Sequence, residues 1–123
     1  MKSILIGGIL MLFANVAISG DVFEIVSTKF KEGISMDEQK RAMANLNEVV
    51  KQFEGFKSRD YFYSADSGRW VDFVVWSDHE LALKASESAM RDPKAGEVFK
   101  LMDDSSSIFS HYERVGGITL PNK

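Results

Sequence analysis

The chain contains no cysteine. Disulfides, thiolate metal ligands, a thiol nucleophile and a lipid-anchored N-terminal cysteine are therefore all excluded, and stability must come from packing or from a partner subunit. Histidine occurs only twice, at positions 79 and 111. Two histidines so far apart, with no cysteine, do not give the ligand spacing of a usual metal site, so no metal is expected. Basic charge is not in excess: 15 Lys and Arg stand against 18 Asp and Glu, a net charge of −3. A mildly acidic chain without a basic patch is a poor nucleic-acid binder, so no nucleic-acid partner is expected. There is no glycine-rich phosphate loop, because Gly7-Gly8 and Gly116-Gly117 lie near the two ends. Internal repeats, low-complexity tracts and linkers are also lacking.

One long apolar run is present, Ile4 to Ala17, broken only by Gly7, Gly8 and Asn15. Lys2 is a minimal positive flank, and Ala17 and Ser19 are the small residues of a cleavage site. Residues 1–19 thus read as a signal peptide cut before Gly20. The run is short of the roughly 20 residues that a membrane-spanning helix needs, although an uncleaved N-terminal anchor is the competing reading. The expected product is periplasmic or secreted, with no membrane attachment after cleavage. Loss of Lys2 would take its net charge from −3 to −4. Residues 20–115 are expected to form one domain, large enough for a single core with little to spare, and residues 116–123 a loose tail.

Within that domain the punctuation is regular. Val22 to Phe30 is rich in β-branched and aromatic residues and predicts a first strand. Ser35 and Glu38 have capping-box spacing, and Met36, Met43, Leu46, Val50 and Phe53 recur at helical intervals, so a helix is expected over 35–53 with Gly55 closing it. Lys57–Ser64 and Arg69–Trp76 read as a hairpin around Ala65-Asp66-Ser67-Gly68. Ser77-Asp78 caps a helix running to about Met90. Asp92-Pro93 breaks it, and a short helix over Lys94–Met102 follows. Ile108 to Val115 predicts the fourth strand. The order β-α-β-β-α-β predicts an α+β, ferredoxin-like fold, an antiparallel four-stranded sheet with its helices on one face. Val71, Phe73 and Val75 are uniformly apolar and are expected to face the helices. Trp70, Asp72, Val74 and Trp76 would then share the open face, where a second copy of the sheet would cover the two tryptophans.

Gly55-Phe56, the Arg69-Trp70-Val71-Asp72 strand, Trp76-Ser77 opening a helix, and Pro93 followed by a Phe99-bearing helix resemble the antibiotic biosynthesis monooxygenase-like (ABM) domains of the dimeric α+β barrel superfamily. The resemblance spans about Val22 to Val115. It implies a homodimer with its sheets face to face, a cavity for a small aromatic or apolar molecule, and cofactor-independent oxidation of a phenolic or quinol compound. The haem-degrading branch of that superfamily uses an Asn on the first strand, a Trp closing the third and a His on the following helix. Trp76 matches the Trp, but the other two positions hold Val26 and Ser86, so haem degradation is not expected and no cofactor is assigned.

Candidate site residues follow from chemistry. Asp72, mid-strand between two tryptophans, would have a raised pKa and could take a proton from a phenol; the competing reading is an ion pair with Arg59 or Arg114. His111 on the last strand is the better histidine for a general base, with a plain hydrogen-bonded strand histidine as its alternative. Trp76, Trp70 and Tyr61 could hold an aromatic ring, and Glu24 on the neighbouring first strand could share the face of Asp72; dimer-core packing is the competing reading for Trp76 and the preferred one for Trp70, and Tyr61 could equally be an ordinary strand residue. Two functional classes stand: an ABM-like monooxygenase, and a non-catalytic small-molecule-binding homodimer of the same fold.

Overall fold

The computed structural model describes residues 20–122, so the expected signal peptide lies outside it. Strand β1 (Val22–Thr28) leads to helix α1 (Met36–Val50), the hairpin β2 (Phe56–Ser64) and β3 (Arg69–Trp76), helices α2 (His79–Arg91) and α3 (Pro93–Phe99), a 3-10 turn at Asp104–Ser106, and β4 (Ile108–Tyr112). The strands form one antiparallel sheet in the order β2-β3-β1-β4. This is the ferredoxin-like α+β arrangement. No helix among the described residues is long and apolar enough to cross a membrane.

Local chemistry accounts for the breaks. The Ser35 hydroxyl accepts the Glu38 N–H at 3.2 Å and starts α1. Asp78 does the same for Leu81 at 2.8 Å and starts α2. Asp92 closes α2 and caps α3 by accepting the Lys94 and Ala95 N–H groups, with Pro93 at the first helical position. The hairpin turns at Gly68, whose φ is 71°, and its N–H returns to the Ser64 carbonyl at 2.8 Å. Four elements are shorter than their sequence patterns, among them helix α1, which ends at Val50 rather than Phe53. Strand β1 stops at Thr28, and Phe30 makes only an isolated bridge to Met102. Helix α3 ends at Phe99, and β4 ends at Tyr112.

The strand faces are the reverse of the sequence expectation. Trp70, Val74 and Trp76 are buried under the helices at 4%, 1% and 1% exposure. Val71, Phe73 and Val75 are on the open face, with Phe23 stacked on Phe73 at 5.8 Å. The error came from Asp72. A carboxylate argues for an outward face only if it has no buried partner, and here it has one. Strand β3 is apolar on both faces, so its alternation carried no other signal.

The core forms two clusters. One joins α1 and α3 to Phe30, Trp70 and Met102; the other joins α2 to Val22, Val74 and Trp76. Where they would merge, α2 and α3 present Ala85, Ala89 and Ala95, whose methyl groups leave the space above the sheet unfilled. The gap is therefore written in the choice of alanine at these positions.

Gly55 holds α1, β2 and α2 together. Its φ is 91°, its carbonyl accepts the Ser77 N–H at 2.8 Å, and a Cβ there would lie 2.8 Å from Leu81 Cβ. Gly55→Ala is expected to cost about 1–3 kcal/mol of stability, combining left-handed strain with that contact. A denaturation midpoint equal to wild type would refute the argument.

Candidate active site

The space between the two clusters is a cavity of about 490 Å³ between sheet and helices. Its walls are mostly aliphatic and aromatic, from Met43, Leu46 and Val49 on α1 to Val74 and Trp76 on the sheet and Phe99 on α3. Polar groups enter at few points, which is the usual composition of a site for an apolar small molecule.

Glu24 is the most consequential of them. On β1 it is in step with Val22, Val26 and Thr28 at two-residue intervals, so it shares their helix-covered face. Pairing places it opposite Val74 on one side and His111 on the other. One carboxylate oxygen, Oε1, accepts the Trp76 indole N–H at 3.1 Å and lies 3.2 Å from His111 Nε2. The side chains of His111 and Glu24 are only 7% and 12% exposed. Burial raises the Glu24 pKa from 4.5 to about 7, the Trp76 N–H opposes that rise, and the Asp72 charge adds to it while Arg59 opposes. Burial, and secondarily His79, pushes His111 below its usual range. Both shifts favour an uncharged carboxyl–imidazole contact over an ion pair.

Asp72 also lines the cavity, but its charge is engaged. Arg59 donates Nε to Oδ1 at 2.9 Å and Nη2 to Oδ2 at 3.0 Å, a bidentate pair with side chains 2% and 13% exposed. Arg59 Nη1 also donates to the Met43 carbonyl at 2.8 Å and Asn47 Oδ1 at 2.6 Å. Burial raises the Asp72 pKa, and the Arg59 hydrogen bonds and charge oppose the rise. Thr28, Asp104 and Ser107 also line the cavity, and the Thr28 and Ser107 hydroxyls meet at 2.6 Å.

Of the residues singled out from sequence, Glu24, Asp72 and Trp76 line the cavity, and His111 touches Glu24 from a second, outer cleft. Trp70 and Tyr61 do not line it. Trp70 is core, with its N–H on Gln39 Oε1 at 2.9 Å, and Tyr61 lies under the Arg59 guanidinium at 4.3 Å. Arg59 was foreseen only as a salt-bridge partner; the pattern Arg59-Tyr61-Tyr63 on one face of β2 was the available signal for its inward direction. Val26 and Ser86 do line the cavity, and the Ser86 hydroxyl is spent on the Ala82 carbonyl at 3.1 Å. Neither supplies a nitrogen ligand for haem iron. Among the described residues no group of three or more His, Cys, Asp and Glu is placed to hold a metal ion.

No family model and no curated protein matches the sequence. Solved structures do match in shape. A candidate antibiotic biosynthesis monooxygenase from Bordetella bronchiseptica superimposes with a TM-score of 0.67 at 16% identity, over 78% of this chain and 98% of that one. A candidate monooxygenase from Shewanella loihica gives 0.63 at 13% identity, over 81% and 99%. SnoaB, a cofactor-independent oxygenase from Streptomyces nogalater, gives 0.61 at 18% identity in a mutant form, over 84% and 99%. The chain is similar to these proteins in fold across nearly their whole length.

The raised pKa of Glu24 makes stability depend on pH. The fold holds this proton more tightly than the unfolded chain does. Its contribution is complete below 4.5 and is lost as pH rises through about 7. The loss is about 3 kcal/mol. Glu24→Gln keeps a carbonyl for Trp76 and escapes it, so the variant should gain on wild type by about that amount across the window. Chemical denaturation at a series of pH values checks this; a difference independent of pH would mean that Glu24 is not held protonated.

Proposed function

We propose that this protein is an ABM-like monooxygenase that oxidises a small aromatic, phenolic or quinol compound without a bound cofactor. The observation that carries the proposal is one protonatable carboxylate, Glu24, facing an apolar cavity beside an indole ring. A general base works best when its pKa lies near the working pH, and Glu24 is raised to about 7. In this reading Glu24 takes the phenolic proton. The electron-rich phenolate left behind supplies all four electrons that dioxygen needs: one oxygen atom becomes a carbonyl on a ring carbon that gives up its hydrogen, the other leaves as water with that hydrogen and the proton held by Glu24, and the product is the quinone. Trp76 orients Glu24 through its N–H and supplies a ring wall. Asp72 serves as a fixed charge paired with Arg59, because both of its oxygens are already engaged. The fold shared with proteins named as oxygenases supports the reading.

The test uses a panel of phenols and quinols. Binding is read from tryptophan fluorescence and turnover from oxygen consumption. Glu24→Gln should bind comparably and lose about 100-fold or more in turnover. Binding with no oxygen uptake by the wild type would instead establish the non-catalytic binding protein.

The same proposal includes a homodimer built on the open face of the sheet. That face carries Phe62, Ile108 and Tyr112 at 59%, 63% and 46% exposure, and the segment after β4 carries Val115, Ile118 and Leu120 at 93%, 94% and 82%. Apolar area on this scale calls for a partner, and the same apolar face of a second copy would cover it. We further propose export, with Gly20 as the first residue of the mature chain. Native mass spectrometry on protein from the exported fraction should give twice the mass of residues 20–123, and Phe62→Lys with Ile108→Glu should give the monomer. A wild-type monomer would remove the dimer.

A further inference from the structure

In the reading of Glu24 as base the proton it takes is returned in the water that leaves, but a carboxyl whose pKa is raised to about 7 must first lose its own proton to solvent before it can act. The side chains around Glu24 offer few exits. Trp76 Nε1–H is a donor only and cannot accept a proton. Asp72 is held on both oxygens by Arg59. The remaining hydrogen-bond partner is His111, whose Nε2 lies 3.2 Å from Glu24 Oε1.

His111 also reaches outward. With His79, Val22, Tyr112 and Glu113 it lines an outer cleft of about 180 Å³, a space distinct from the cavity that Glu24 lines. His79, at the start of α2, is exposed, and its ring and that of Phe109 each lie nearly perpendicular to the His111 ring, at 5.8 Å and 5.1 Å between centroids. One imidazole therefore connects a buried carboxyl in one compartment to an open cleft in another.

We propose that His111 carries the proton between Glu24 and solvent. The Glu24 carboxyl gives its proton to Nε2 as Nδ1–H releases one to water in the outer cleft. The ring changes tautomer, its net charge before and after is zero, and Glu24 returns to the carboxylate. Tautomer exchange of a neutral imidazole is the chemistry histidine is suited to, and a depressed His111 pKa keeps the ring neutral between transfers. The charged and titratable groups around the pair are Asp72 on β3, Arg59 on β2, His79 on α2, Asp104 at the cavity, and Tyr112 and Glu113 at the cleft. His111 is here a relay that acts through Glu24 and does not touch substrate.

The test needs no substrate. In a Trp70→Phe background, Trp76 fluorescence reports the protonation of its hydrogen-bond partner Glu24. After a rapid pH jump across about 7, the fluorescence relaxation should slow at least about tenfold in His111→Ala, with the end point kept. Free imidazole, entering through the outer cleft into the space left by the ring, should restore the rate. His111→Gln, which keeps a hydrogen-bonding side chain but relays no proton, should be slow as well and serves if the alanine variant does not fold. An unchanged rate in either variant overturns the relay, as does a slowed rate in His111→Ala that imidazole does not restore. Because the jump reads proton movement alone, its outcome is separate from whether Glu24→Gln abolishes turnover.

Discussion

The buried pair between Arg59 and Asp72 is the constraint on which the rest of the structure depends. A carboxylate under the helices is tolerable only with a partner, because desolvating an isolated charge costs several kcal/mol or more. Arg59 supplies two hydrogen bonds to it and spends the rest of its guanidinium on the Met43 carbonyl and Asn47. One side chain thus ties β2, β3 and α1 together. It also decides the parity of β3. With Asp72 inward, Trp70, Val74 and Trp76 must be inward too, and Trp76 is then in reach of Glu24 on the neighbouring strand.

The chemistry of the site follows from that parity. Two carboxylates face one apolar cavity, and their surroundings separate their roles. Asp72 has a cation within hydrogen-bond distance on both oxygens; Glu24 has an indole N–H and an imidazole. Burial raises both pKa values, but only Glu24 lacks a paired positive charge at contact distance, and it is the one raised to about 7. The same arrangement depends on α2 being poor in large side chains. Alanine at 85 and 89 removes the volume that would otherwise press on Trp76 and leaves room for a guest. A small domain that forgoes this much core has less to stabilise it.

The element order, the two helix caps at Ser35 and Asp78, the Asp92-Pro93 break and the Gly68 turn were all legible in the chain, because each depends on neighbours within a few residues. Glu24, Asp72 and Trp76 come together around one cavity, and His111 meets Glu24 from the neighbouring cleft. Which residues would drop out was not legible. For Trp70 packing is the preferred reading of the sequence and Trp70 is core, but nothing local showed that its indole would bond Gln39 while that of Trp76 would bond Glu24, or that Tyr61 would lie under Arg59.

By itself the sequence determined the secondary structure, the ferredoxin-like order of elements and, through the missing cysteine, the absence of disulfides. These are consequences of backbone preference and composition, which act locally or on the whole chain. Only the tertiary structure decided which face of β3 is inside, which carboxylate is paired and which is free, and that His111 stands between a cavity and a cleft. A strand that is apolar on both faces carries no parity in its own pattern. Its direction is set by an ion pair to a residue 13 positions away in sequence, and a hydrogen bond spanning 87 positions joins Glu24 to His111. Contacts of that separation are made by the sheet register.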